Sequence, residues 1–338
     1  MKNLAIDMHA HALIGKAEEI ARQQDRWRRE AQEAARLAGK ESSTHNQRLM
    51  QTAYLAGLTR VDARIATMDA MEVDVQAVSP VPMQYHYWAD REAAEKIVAA
   101  VNDGIASICS SRPERFVGLG SVALQFPELA AEQLEQAMCE LHLKGVIIST
   151  AVDGAELADP RFEVFWAKAE ELGAVVFIHP TGCSLGARLT PYYLSNVIGN
   201  PTETTVALAH LIFSGMFDRH PNLKVVAAHG GGYFPFYTAR FDHGWRVRPE
   251  AHTCANAPST YLKKIWFDSL VYEPDQLEYL IRRAGAGNIV LGTDFPFDMG
   301  MDDPLGHLNA VAGLSDDDRA LIRGVNASRL LGLSIECA

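Results

Sequence analysis

The chain has 338 residues, of which 48% are hydrophobic and 22% charged, with no low-complexity tract; that composition excludes the disordered and fibrous classes and is enough for a large buried core. Asp and Glu number 42 against 31 Lys and Arg, a formal net charge of -11, so nucleic acid is a poor candidate partner. A small anion held by a few arginines in one cleft remains compatible with that balance.

In chain order, LAIDM at 4–8 reads as a first buried strand. The polar segment 16–60 follows; its first half has the charge and alanine content of a helix, and GKESST from Gly39 reads as a helix stop and a loop. It is too polar to bury a core of its own, so it is expected as an insertion on the catalytic face, with the next helix starting near Val61. Further apolar, β-branched runs are VDVQAVS at 73–79, FVGLGSVA at 116–123, GVIIST at 145–150, VVFIH at 175–179, KVVAAH at 224–229, IWFDSL at 265–270 and IVLGTD at 289–294. Between them, 92–111, 127–141, 161–172, 201–216 and 274–284 carry apolar residues at helical spacing.

Strands apolar throughout and separated by helices indicate a parallel sheet covered on both faces. Eight such units spread over 1–338 predict a single α/β domain, a (β/α)8 TIM barrel with a helical insertion after strand one. An open doubly wound sheet normally carries a glycine-rich phosphate loop, and no GxGxxG or GxxxxGK[ST] follows any strand. Cys109, Cys139, Cys183, Cys254 and Cys337 are odd in number, scattered and free of any CxxC pair, which argues for a reducing cytoplasm rather than a disulfide framework. The N-terminus shows no secretory h-region, and no run approaches 18 uninterrupted apolar residues, so neither secretion nor membrane insertion is expected.

IDMHAH at 6–11 sets two histidines one residue apart. Residues two apart on a strand face the same side, so His9 and His11 are expected together at the barrel mouth, as half of a metal site. His179 ends VVFIHP, His229 ends KVVAAHGGG and Asp294 ends IVLGTDFP, each where a barrel strand presents a residue to the catalytic face. Singly, each reads more blandly as a surface pair, a core imidazole satisfied by a carbonyl, or a helix N-cap. Together, in this order, they point to one centre.

Imidazole nitrogens with one carboxylate suit Zn²⁺, with Mn²⁺ or Fe²⁺ as alternatives. With His9, His11, His179 and Asp294 as ligands, His229 is left as the general acid or base, so that His229 and Asp294 make the catalytic pair. Asp268 ends another strand and is expected to orient a ligand imidazole. Tyr85, Trp88, Tyr192, Phe295 and Phe297 lie near strand ends, where aromatics wall a planar substrate or simply pack the rim. No lysine motif for PLP or other organic-cofactor signature accompanies the set.

IDMHAH, HPTG, HGGGYFPFYTARFDHGW and LGTDFPF, with VSPVPMQYHYWAD at 78–90, ERFVGLGSVALQ at 114–125 and NPTETTVAL at 200–208, resemble the amidohydrolase superfamily. Within it they are most similar to the decarboxylase branch typified by 2-amino-3-carboxymuconate-6-semialdehyde decarboxylase. The resemblance runs from His9 to about Leu331, apart from 16–60. It implies a mononuclear site with the same four ligands and His229 as proton carrier; GVIIST has no lysine to bridge a second ion. It also implies that Arg240 reaches a neighbouring subunit's site to hold a substrate carboxylate, which makes the active unit a homodimer.

Thr181 and Gly182 stand where that branch usually has an aromatic after the HP pair, and its second carboxylate-binding arginine aligns with neither Arg48 nor Arg60 uniquely. The expected activity is a cofactor-free, metal-dependent decarboxylase of a carboxymuconate semialdehyde or hydroxybenzoate-type acid. The alternative is a hydrolase that uses the same site on a C–C bond, lactone or amide.

Overall fold

Eight short parallel strands alternate with helices along residues 4–333, the part of the chain that the computed structural model describes. They are β1 (Ile6–Ala12), β2 (Val75–Pro80), β3 (Phe116–Gly118), β4 (Gly145–Ile148), β5 (Val175–Ile178), β6 (Lys224–Ala227), β7 (Ile265–Asp268) and β8 (Ile289–Val290). Hydrogen bonding runs β1 to β3 and β4 to β8 in order. Parallel bridges from Gly120 to Val146 and from Ala10 to Phe295 join the two sheets, so the sheet closes into a (β/α)8 barrel. Cys337 lies outside the described residues, and the other four cysteines are free thiols.

One apolar cluster draws side chains from every strand, including Ile6, Ala77, Val117, Ile147, Phe177, Val226, Trp266 and Val290, and fills the barrel interior. The outer strand faces meet the helices in two larger clusters. Burial on both faces is why the strands read as apolar runs without polar alternation.

Three strands differ from their sequence limits by four residues or more at one end, each for a reason of hydrogen bonding. β1 continues to Ala12 instead of ending at Met8, held by His11 N–H donating to the Phe295 carbonyl at 2.8 Å. β3 stops at Gly118 because side chains take over the following backbone: Asn102 accepts from Ser121 N at 2.7 Å and Gln133 from Ala123 N at 2.8 Å. β8 stops at Val290, where Ser269 Oγ accepts from Gly292 N at 3.2 Å and Asp7 accepts from Thr293 N at 3.0 Å.

β1 also contains a bulge. Asp7 pairs with Gln76, but the next partners are Ala10 and Val78, so β1 uses one residue more than β2. Before the bulge Ile6 and Met8 face the interior; after it Ala10 and Ala12 pack outward in the cluster that contains Ile97 and Val101. The extra residue turns His9 and His11 inward, and the His9 ring meets interior Phe177 at 4.9 Å between centroids.

The insertion is helical for most of its length: Gly15–Ala21, Trp27–Ala38, Lys40–Leu49 and Ala53–Thr59, before the first barrel helix Val61–Ala70. The expected loop at GKESST is therefore corrected to a one-residue break. Gly39, at φ 83°, ends one helix and opens the next, and Ser43 N–H donates back to its carbonyl at 3.0 Å. A Cβ at Gly39 would meet Thr190 Cγ2 at 2.8 Å, so a glycine is needed for the approach as well as for the φ. A further helix, Phe234–Val247, did not stand out by apolar spacing because its aromatics surround it; Phe234 and Phe241 pack on one side with centroids 4.7 Å apart.

Candidate metal centre

The strand ends bring the five expected residues to one point. On β1, His9 Nε2 lies 3.1 Å from His11 Nε2, and from the segment after β8 Asp294 Oδ1 lies 3.2 Å from His9 Nε2 and 3.1 Å from His11 Nε2. His179 Nε2 is 4.0 Å from the same Oδ1, and His229 Nε2 is 3.5 Å from Asp294 Oδ2. One ligand atom each of His9, His179, His229 and Asp294 fall within 4.8 Å of one another. His229 is thus as close to the centre as the four residues expected to be ligands.

The outer nitrogens decide what faces inward. His179 Nδ1 lies 2.8 Å from the Pro180 carbonyl, which only accepts, so Nδ1 carries the hydrogen and Nε2 presents a lone pair. His11 Nδ1 lies 3.2 Å from both the Pro80 carbonyl and Ser79 Oγ; the Ser79 hydroxyl donates to the Ala10 carbonyl, so both neighbours accept from His11. His9 Nδ1 meets Asp268 Oδ2 at 2.7 Å. Asp268 also accepts from the backbone N–H of His229 at 2.9 Å, of Gly230 at 2.8 Å and of Leu270 at 3.2 Å, so one carboxylate sets a ring and the turn at His229.

Inside, His179 Nε2 and Asp294 Oδ1 are buried without a hydrogen-bond partner, and so is His229 Nδ1. Buried lone pairs aimed at one another are costly unless something positive lies between them, and a divalent cation meets that need. The donor set fits a divalent metal ion: this is a metal-binding site. His229 and Asp294 both adopt left-handed backbone, at φ 55° and 57°, a strain that the surrounding bonds sustain.

Charge follows the same geometry. Burial opposes charge on His9, but the carboxylates of Asp294 and Asp268 outweigh it and push the imidazole up to about 10. Burial lowers His11, and burial with the neighbouring histidines holds His179 well below its usual range. Burial opposes ionisation of Asp294, yet His9 and the hydrogen-bonding histidines hold it well below the usual carboxylate range. At pH 8 the metal-free site therefore carries one extra proton, on His9, and loading a divalent ion is expected to release about one proton per ion. Calorimetry in buffers of different ionisation enthalpy reads that number; release of none, or of two or more, would contradict this assignment of protons.

The remaining expected residues are spread more widely. Phe297 packs edge-on to His11 at 5.2 Å between centroids, and Tyr85 donates from its hydroxyl to the His179 carbonyl at 3.4 Å. Trp88 packs against His86 at 5.3 Å, half-buried, and Arg240 is exposed on the helix Phe234–Val247. Tyr192 is 88% exposed. Arg48 is exposed, and Arg60 is exposed and paired with Asp62.

Sequence reasoning missed three tyrosines around the mouth. Burial raises the phenols of Tyr54, Tyr193 and Tyr272, and each also feels the charges of Asp294 and Asp298. Tyr54 meets the Phe297 ring at 5.8 Å, which brings the insertion onto the site. No spacing rule flags a tyrosine in a segment whose docking is unknown. Tyr193, with Lys40, His45 and Asp298, also lines a cleft of about 740 Å³ between the insertion and the segment after β5.

The profile of the amidohydrolase family matches residues 6–333. The 2-amino-3-carboxymuconate-6-semialdehyde decarboxylase of Dictyostelium discoideum is 38% identical over 274 residues, covering 80% of this chain and 76% of that protein. The gamma-resorcylate decarboxylase of Rhodococcus jostii is 30% identical over 289 residues, covering 80% and 87%. A crystal structure of the Novosphingobium aromaticivorans 5-carboxyvanillate decarboxylase, complexed with manganese and 4-hydroxy-3-methoxy-5-nitrobenzoic acid, superposes with a TM-score of 0.83 over 98% of this chain and 96% of that one. Its identity is 22%, so that likeness is one of fold. With its barrel, its metal-binding site and these matches, the chain is an enzyme of the amidohydrolase superfamily and belongs to the family of 2-amino-3-carboxymuconate-6-semialdehyde decarboxylase-like proteins.

Proposed function

We propose that this chain is a metal-dependent decarboxylase of a small carboxylate from aromatic ring metabolism, either a carboxymuconate semialdehyde or a hydroxybenzoate-type acid. The observation that carries the reading is the set of inward ligand atoms at His9, His11, His179 and Asp294, which would hold a divalent ion, once His9 gives up its extra proton, with His229 beside them. That donor set suits Zn²⁺, with Mn²⁺ and Fe²⁺ as the other ions to test. When bound, the ion would supply positive charge to polarise the substrate's oxygens.

The chain's own groups do the rest. Asp268 fixes the backbone of His229, so that its ring is aimed at the carbon from which the carboxylate leaves and can deliver the proton that replaces it. Phe297 and Tyr54 offer flat, apolar faces to a planar substrate and exclude water from the developing carbanion. Names of the two sequence relatives support decarboxylation and both candidate substrate classes.

We further infer a homodimer in which Arg240 serves the partner's site; it is exposed, on a helix that also exposes Tyr237 and Val247. Arg240→Ala is then expected to raise KM for carboxylated substrates by about tenfold or more while kcat holds, since a lost charge-assisted bond is worth roughly 1.5–3 kcal/mol. Unchanged saturation kinetics would return that arginine to the solvent. No helix among the described residues is long and apolar enough to cross a membrane, and the free thiols support a cytoplasmic setting.

The decisive experiment loads purified protein with each metal and screens carboxymuconate, hydroxybenzoate, lactone and ring-cleavage substrates for released CO2. Turnover that yields a second organic acid and no CO2 would replace the decarboxylase with a hydrolase.

A further inference from the structure

At the seam where the segment after β8 meets β1, a second set of buried polar side chains takes no part in the chemistry above. Asp7, fully buried, accepts four hydrogen bonds: from His9 N at 3.0 Å and Thr293 N at 3.0 Å on Oδ1, and from Thr293 Oγ1 at 2.6 Å and Gln76 Nε2 at 2.9 Å on Oδ2. Three of these partners, two backbone N–H groups and the Gln76 amide, can only donate, so Asp7 is held from three residues at once. Gln76 Oε1 in turn accepts from Arg64 Nη1 at 2.8 Å. Arg64 is 2% exposed; its Nη2 donates to the carbonyls of His11 and Gly57, and its guanidinium lies 4.9 Å from the centre of the Phe295 ring.

An acidic and a basic side chain are thus buried with one amide between them, spanning the seam, β1, β2 and the helix Val61–Ala70. Such a pair is poor value as stability alone, because desolvation offsets most of the attraction. Its position suggests another purpose. Ladder bonding at this seam is sparse and irregular: β1 is bulged between Asp7 and Ala10, β8 has two residues, and the direct backbone bonds are Met8 N to Leu291 O, Asp294 N to His9 O and His11 N to Phe295 O. One of those three bonds joins two residues of the candidate metal centre, His9 and Asp294, and a second starts from His11. Side-chain bonds from Asp7 reach the backbone of His9 on one strand and of Thr293, directly before Asp294, on the other.

We propose that Asp7 is a positioning residue that sets the separation of His9 and His11 from Asp294 across the barrel seam, with Thr293 and the Gln76–Arg64 pair as its struts. This rests on the reading of those three residues as metal ligands. Thr293→Val keeps the shape and removes one strut, Thr293→Ser restores the hydroxyl, and Asp7→Asn replaces one acceptor oxygen with an NH2 group that faces donors.

The test is the affinity of metal-free protein for Mn²⁺, followed by the paramagnetic resonance signal of the free ion, alongside thermal unfolding of the same metal-free samples. Thr293→Val is expected to bind Mn²⁺ about 10–100-fold more weakly while remaining folded, with Thr293→Ser close to the unaltered chain. Asp7→Asn is expected to weaken binding at least as much; if it does not fold, the Thr293 pair decides. A Thr293→Val protein that is thermally weakened yet binds Mn²⁺ as tightly as the unaltered chain overturns the proposal and leaves the network a purely structural role. Failure of the unaltered chain itself to bind Mn²⁺ would instead refute the ligand assignment, and the positioning role with it.

Discussion

Replacing His229 with glutamine is expected to leave metal content unchanged and to lower kcat by about 10²–10⁴, the range for loss of a general acid or base. Glutamine keeps a polar side chain of similar reach but cannot exchange a proton near neutrality. The geometry sharpens the test, because His229 Nε2 lies 3.5 Å from Asp294 Oδ2 and belongs to the group of four whose ligand atoms fall within 4.8 Å. If the variant loses its metal, His229 is a ligand and the proton carrier must be sought elsewhere. Full activity with full metal would remove His229 from the mechanism.

Asp294→Asn is expected to weaken metal binding by at least about 10², in line with removing one member of a buried, charge-paired cluster. Among the described residues, Asp294 is the only carboxylate that faces the inner nitrogens of His9, His11 and His229 at once, at 3.2, 3.1 and 3.5 Å. Its loss leaves the imidazoles without an inward negative charge to share with a cation. Activity should fall with occupancy and recover partly at high metal concentration. Metal analysis and kcat measured over a metal titration check this together. An Asn variant that holds its ion as tightly as the parent would show that imidazoles alone suffice and would reassign Asp294 to proton transfer.

Local sequence carried much of this site. Apolar runs ending in His179, His229 and Asp294 marked three strand ends, because in a parallel barrel the end of a buried strand is where a polar residue meets the catalytic face. Helices at 92–111 and 274–284 were legible to within a residue or so, since their apolar spacing and their starts at Arg91 and Pro274 agree. The break at Gly39 was legible, but the helix after it was not: KESSTHNQRL buries no residue and so has no apolar periodicity to reveal it. Tyr54 and Tyr193 carried no signal, because their importance comes from how a polar insertion docks, and Arg64 carried none, because its partners Gln76 and the His11 carbonyl lie on strands that only the fold brings to it.

By itself, then, the amino-acid order determined the number of parallel barrel strands, their burial on both faces and which five polar residues meet at the centre, because those depend on short-range hydrophobic pattern. Tertiary structure alone decided which way they face. A regular first strand would place His9 and His11 on the same side as Asp7; one extra residue before Ala10 turns them into the barrel, and that residue is accommodated only because strands far away in the chain accept the bulge. The protonation pattern has the same origin. Whether an imidazole offers a lone pair or a proton depends on a carbonyl or carboxylate behind it, and for His9 that partner, Asp268, is 259 residues distant.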